Sequence, residues 1–451
     1  MKLIKYYLSN RKQRVVLNGV QSAWEPILSG VPQGSVLGPL LFLIYINDLT
    51  DGISSNIKLF ADDASLFIKV TDIDAAQETL VNDLSKVTAW ANQWKMKFNP
   101  DISKQAVEIV FSNKYKKPNH PPISFGGIPV ARVESTKHID LALDQRLSFR
   151  EHIFESIEKA KQGLSLMKFL SKYVNRKILV LTYIMHIRPH LEYGDVIYHN
   201  CADYLMDMLE SIQYQAGLIA TGCWQNTNRS KLYHELGWES LNDRRHNRRM
   251  YMYHKILKGD SPEYLMKYVS SSPLPANASQ RLKRSFFPYC FENYNSLNPA
   301  LKSLNATCFK NRLTKLTKPK KKLVPDSNIP KGIKFLTCLR VDHSDLREHR
   351  FRKSFNCPSP VCKCGLENES TEHFLLRCPK FNSSRGILIT KVLKLLEMNN
   401  IAPPDDDGKL CKILLYGYAP LLDIINKRIL LHTIQFITST KRFDTLEAFN
   451  L

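Results

Sequence analysis

No apolar run in this chain is long enough to cross a bilayer, and acidic side chains are scarce beside basic ones. The longest apolar run, Val36 to Ile46, contains Gly38 and Pro39 and falls well short of the roughly 20 residues that a spanning helix requires. The first residues, Met1-Lys2-Leu3-Ile4-Lys5-Tyr6-Tyr7, offer neither a long apolar core nor a small-residue cleavage site, which argues against a secretory leader. An intracellular protein, in cytoplasm or nucleus and without a membrane partner, is expected. Self-similarity at the periods of solenoid repeats is absent too.

What is present begins with charge. There are 64 Lys and Arg against 42 Asp and Glu, a formal net charge of +22. Such a chain attracts polyanions, and phosphate contacts release condensed counterions, so nucleic acid is the leading partner class and anionic membrane surfaces the runner-up. The densest basic run, Lys318, Lys320, Lys321 and Lys322, suits a solvated linker or a nuclear-import patch as well as a specific binding site. A hydrophobic fraction of 43% with 10% aromatics is that of a folded protein, and 451 residues give a prior of about three domains. Of ten cysteines, Cys357, Cys362 and Cys364 fall close together and Cys378 follows. In a reducing compartment that clustering points to metal before disulfide.

The first 130 residues alternate helical and strand-like patterns. A loop punctuated by Gly30, Pro32, Gly34 and Gly38-Pro39 leads into a helix-like stretch, Leu40 to Leu49. Ile57 to Phe60 and Ala64 to Ile68 are short β-rich runs flanking Asp62-Asp63, which predicts a hairpin. Asp74 to Trp94 has helical periodicity and Val107 to Phe111 returns as a strand. An α+β domain follows from this order. Phe149 to Tyr268 is predominantly helical, residues 270 to 335 are rich in Pro, Ser, Asn and Lys, and a small Cys/His module precedes helices at Ile387 to Met398 and Leu421 to Thr440.

Two adjacent aspartates at a hairpin tip, Asp62 and Asp63, need neutralising. Carboxylate oxygens are what Mg²⁺ prefers, and two such ions clamp the attacking and leaving oxygens of phosphoryl transfer. In isolation the pair is more often a plain polar turn. The neighbourhood changes that balance: Gly30-Val31-Pro32-Gln33-Gly34-Ser35-Val36-Leu37-Gly38-Pro39 and then Leu41 to Leu49 precede Phe60-Ala61-Asp62-Asp63. Over these residues the chain resembles the reverse transcriptases of non-long-terminal-repeat retrotransposons, the jockey-like group in particular. Trp90 to Pro100 followed by Lys104, and Lys137-His138-Ile139-Asp140-Leu141, are similar to the family's next block and its primer-grip segment. The family has Gly where Asp140 stands.

The resemblance implies an RNA-directed DNA polymerase with a right-hand palm. Asp62 and Asp63 would hold Mg²⁺, Gln33 and Gly34 would line the nucleotide and template pocket, and Lys104 would approach the departing pyrophosphate. RNA template, DNA primer, RNA–DNA duplex and deoxynucleotides are the implied partners. One element is missing. The family's first palm block supplies another aspartate, and nothing before Gly30 resembles it, so the chain is expected to begin inside the palm, N-terminally truncated, and to be inactive as written. A non-catalytic nucleic-acid-binding relic is the alternative.

The expected organisation is a partial palm at residues 1–148, a helical thumb and connection at 149–269, a basic linker at 270–335, a CCHC zinc-knuckle-like module at 336–385 and C-terminal helices at 386–451. In the module, Cys362-x-Cys364-Gly365 is followed by His373 and Cys378. Two close pairs of thiolate and imidazole ligands suit tetrahedral Zn²⁺, and the family's C-terminal knuckle is similar. Cys357 is a spare candidate ligand.

Overall fold

A computed structural model describes residues 2–98, 106–114, 119–269, 274–275, 277–320, 322–325 and 330–444. The chain divides into two units, Met1–Leu147 and Ser148–Leu451. The first mixes helices with small sheets. Its longest strand pair is the antiparallel hairpin Asn56–Phe60 and Asp63–Phe67, in register from Asn56 opposite Phe67 to Phe60 opposite Asp63. Behind it in sequence, Asp72 caps the helix Ile73–Gln93, its carboxylate accepting from the N–H groups of Asp74 and Ala75 at 2.9 and 3.1 Å. That capping removes two of the orphan donors of the first turn. Ala76, Asp83, Val87 and Ala91 then form its buried stripe.

The strands Ser135–His138 and Leu141–Asp144 form a second tight hairpin. Ile139 and Asp140 are its two turn residues, with φ of +47° and +60°. Left-handed backbone at both positions is the geometry of the I′ turn, which favours Asn-Gly or Asp-Gly. Asp140 occupies the place where that preference is for glycine, and the turn closes around it nonetheless. Ser65 Oγ on the first hairpin lies 3.4 Å from His138 Nδ1 on the second.

The second unit is helical for most of its length. Arg150–Leu170 buries Ile153, Ile157, Ala160, Leu164 and Met167, a three-to-four-residue spacing, and Asp203–Thr221 buries Leu205, Leu209, Ile212 and Ala216. Gly222, at φ +68°, ends the latter helix. Residues 280–317 hold four helices, and Cys290, Tyr294, Leu301, Phe309 and Leu313 from them share a core with Met250 and Tyr253. A larger core runs from Phe335 to Phe443 and takes in the Cys/His segment and the helices Asn382–Glu397, Asp407–Tyr416 and Asp423–Ser439. No described helix is long and apolar enough to cross a membrane.

Asp140→Gly should stabilise the first unit by about 0.5–1 kcal/mol, because glycine adopts positive φ without the Cβ penalty. Urea denaturation checks this, and an unchanged or lower midpoint would contradict the turn assignment.

Candidate functional site

The first candidate site is the tip of the hairpin. Ala61 and Asp62 make its two-residue turn, Ala61 with φ +50°, and Asp63 begins the returning strand. Both carboxylates are exposed. Among the described residues no third His, Cys, Asp or Glu joins them about a common point, and the only acidic residue before Gly30 is Glu25, which pairs with Gln13 in a separate strand pair.

The loop from Gly30 to Gly38 is held by its own polar groups. Arg11 Nη2 donates to the Gly30 carbonyl at 2.6 Å, Ser35 Oγ donates to the Pro32 carbonyl at 2.7 Å, and the Gly38 N–H donates to Ser35 Oγ at 3.0 Å. A Cβ on Gly38 would sit 2.8 Å from that Oγ and 3.0 Å from the Pro32 oxygen, so the loop closes this tightly only on glycine. Gly34 is at φ +77° with open space beside it, and Gln33 is exposed next to it. Among the described residues no hydrogen bond joins Gln33 or Gly34 to the hairpin. Lys104 lies outside the described residues.

What positions the hairpin is a residue that sequence reasoning missed. Asp83, on the helix Ile73–Gln93, is fully buried. Its carboxylate accepts from the Ser54 N–H at 3.0 Å and from the Ser55 N–H at 2.7 Å, just ahead of the strand Asn56–Phe60, and Lys86 Nζ lies 3.3 Å away. Burial alone would raise its pKa, but the Ser54 and Ser55 N–H groups outweigh burial and hold it below the ordinary 3.8. A second tie comes from Trp90, whose Nε1 donates to Asp48 at 2.8 Å, while the Tyr45 hydroxyl donates to the Trp94 carbonyl. Nothing in the periodicity marks Asp83, since an acid on a helix normally faces water.

The second candidate site lies in the other unit. Cys362, Cys364, His373 and Cys378 bring one ligand atom each within 4.8 Å of one another. Cys362 Sγ to Cys378 Sγ is 3.8 Å, and Cys364 Sγ to His373 Nε2 is 3.3 Å. A tetrahedron with Zn–S bonds of 2.3 Å has S···S edges of about 3.8 Å, so the donor set fits Zn²⁺. Gly365, at φ +84°, closes the knuckle with its N–H on the Cys362 carbonyl at 2.9 Å. Burial pushes the Cys362 thiol up to about 12, whereas the Leu366 N–H helps hold Cys364 down to about 7. Cys357 does not join, because its thiol faces the carbonyls of Ser359 and Arg347 at 3.2 and 3.6 Å.

Comparison with known proteins agrees with the hairpin's context. Residues 1–130 match the family described as "Reverse transcriptase (RNA-dependent DNA polymerase)". The chain is 25% identical over 305 residues to "Probable RNA-directed DNA polymerase from transposon BS" of Drosophila melanogaster, covering 63% of this chain and 32% of that protein. It is 27% identical over 222 residues to "RNA-directed DNA polymerase from mobile element jockey" of the same species, covering 47% and 24%. A match of 22% over 377 residues, to "Retrovirus-related Pol polyprotein from type-1 retrotransposable element R1" of Bradysia coprophila, covers 80% and 35%. The chain thus spans about a third or less of the length of these relatives.

Asp83→Ala should destabilise the first unit by about 2–4 kcal/mol, since it strands two backbone donors in the interior. Because folding depresses the Asp83 pKa, its contribution is complete above pH 3.8 and is lost as pH falls through the lower folded value. Denaturation across acid pH should show a shallower loss in Asp83→Asn than in the wild type, and parallel curves would refute the clamp.

Proposed function

We propose, from the premise that residues 1–130 are reverse-transcriptase sequence of the jockey-like non-long-terminal-repeat kind, that this chain engages template and primer with a partial polymerase site. The observation that carries the reading is an ordered set of elements inside the matched span: the Gly30 to Gly38 loop, the helix Leu37–Ile46 and a tight hairpin exposing Asp62 and Asp63. Asp62 and Asp63 would hold Mg²⁺, which in this chemistry neutralises charge on the transferring phosphoryl group. Gly34 lets a nucleotide approach the backbone, and the Gln33 amide offers a hydrogen bond to base or sugar. Lys104 is assigned to the departing pyrophosphate. RNA template, DNA primer and their duplex are the partners, with residues 149–269 following the duplex as a thumb.

Among the described residues no third carboxylate joins Asp62 and Asp63 about a common point. Two ions at a spacing of about 3.5–4 Å need bridging ligands, and Mg²⁺ tolerates little departure from octahedral geometry. Two adjacent carboxylates without a third acid favour binding without polymerisation. The Cys/His site is different, because four protein donors close a structural Zn²⁺ site. There Cys362, Cys364, His373 and Cys378 hold the ion, which supplies a cross-link between the knuckle and the His373–Arg377 turn.

Primer extension on an RNA template with Mg²⁺ should show no incorporation above background. Robust incorporation abolished by Asp62→Ala would overturn the reading. Binding of an RNA–DNA duplex should persist and weaken steeply with salt.

Elemental analysis should find one zinc per chain, and chelation or Cys364→Ala should lower the melting temperature. A zinc-free protein, or a Cys364→Ala variant as stable as the wild type, counts against the metal site.

A further inference from the structure

His373 can offer the metal only one ring nitrogen, and the structure shows what holds the other. Nε2 faces Cys364 Sγ at 3.3 Å, inside the ligand cluster, while Nδ1 lies 2.7 Å from Glu367 Oε1. The imidazole is fully buried. Glu367 stands opposite the knuckle by construction: the Cys362 N–H donates to the Glu367 carbonyl at 2.8 Å, and Val361 bridges Asn368 in antiparallel sense. On its outer side Arg377 Nη1 lies 3.5 Å from Glu367 Oε2, and the same guanidinium donates to Asp407 at 2.8 Å and to Glu372.

We infer that Glu367 is a positioning residue for this centre, a reading that rests on the zinc assignment above. By accepting a hydrogen bond from Nδ1–H it holds the imidazole as the tautomer whose Nε2 lone pair points at the metal, and it fixes the plane of the ring. A carboxylate on the far nitrogen of a ligating histidine also makes that histidine a better donor, and removal of such a partner typically weakens metal binding by about 10–100-fold. Arg377 in turn keeps the Glu367 carboxylate from turning out to solvent, where it is partly exposed. The arrangement therefore runs from Asp407, at the start of the helix Asp407–Tyr416, through Arg377 and Glu367 to the ligand.

The test is zinc affinity of the full chain by chelator competition, with the Co²⁺ absorption spectrum as a second readout. Glu367→Ala should lose about 10–100-fold in affinity and broaden the Co²⁺ bands, while the melting temperature of the metal-free protein stays close to wild type. Glu367→Gln, which keeps an acceptor toward Nδ1, should restore most of the affinity. Wild-type affinity in Glu367→Ala overturns the positioning role and leaves the zinc site standing. Equal losses in the Ala and Gln variants also overturn it, assigning the effect to charge alone. A wild-type chain that binds no zinc overturns both readings.

Discussion

Between His373 and Cys378 the backbone makes one wide turn, and the placement of the Cys/His cluster and of the core from Phe335 to Phe443 both depend on how that turn closes. The Cys378 N–H reaches back five residues to the His373 carbonyl at 2.7 Å. Such π-type turns are rare and recur at functional positions. Here the extra residue lets His373 Nε2 and Cys378 Sγ face one point while Phe374 and Leu375 are fully buried. Phe374 packs against the rings of Phe381, Phe436 and Phe443 at 5.4 to 5.5 Å. The widened turn leaves carbonyls without helical partners, and Arg385 takes them: its Nε donates to Leu375 at 3.0 Å and its Nη2 to Cys378. A metal bound at this point would pin the segment that anchors the core, coupling its binding to the packing of the C-terminal helices.

The first unit handles its carboxylates in two opposite ways. Asp83 is dry, and it is satisfied by backbone donors at the entrance to the hairpin. Asp62 and Asp63 are wet, at the tip of that hairpin, with no protein cation or donor bonded to either among the described residues. A buried acid without partners would neutralise itself by taking up a proton, so Asp83 can only be structural. An exposed adjacent pair costs little in water and stays available to a divalent cation. The clamp on Ser54 and Ser55 fixes where the tip points.

How much of this could be read from the sequence depended on how local the signal was. Cys362, Cys364, His373 and Cys378 were legible because their spacing is short and Gly365 permits the turn; the exclusion of Cys357 was not, since only the fold turns its thiol toward the Ser359 carbonyl. The helical character of Phe149 to Tyr268 was legible from periodicity, and the long helices 150–170 and 203–221 lie within it. Residues 270–335 read as a basic linker because they are rich in Ser, Asn, Pro and Lys, yet residues 280–317 within them hold four helices. Several of those residues instead serve as helix caps: Ser279, Asn298 and Asn305 each accept from the first turn of a helix. Residues that favour loops also favour helix starts, because the same side-chain oxygen satisfies the free N–H groups. Asp83 was illegible for the reverse reason, as its partners lie 28 and 29 residues away.

The charge balance gains meaning from where the acids go. In the second unit Glu235 accepts from Arg176 and Arg340 at 2.9 and 3.0 Å, Asp195 pairs with Arg248, and Glu369 lies 2.7 Å from Arg442. Asp195, Glu235 and Glu369 are all buried. Each of these pairs occupies one acid with at least one base, so the excess of basic over acidic side chains outside them stays close to the formal net charge of +22. Pairing also spares those guanidiniums the cost of burial without a counter-charge. For a nucleic acid that docks on such a surface, the number of its phosphates neutralised by Lys and Arg, with release of their condensed counterions, sets how steeply binding depends on salt.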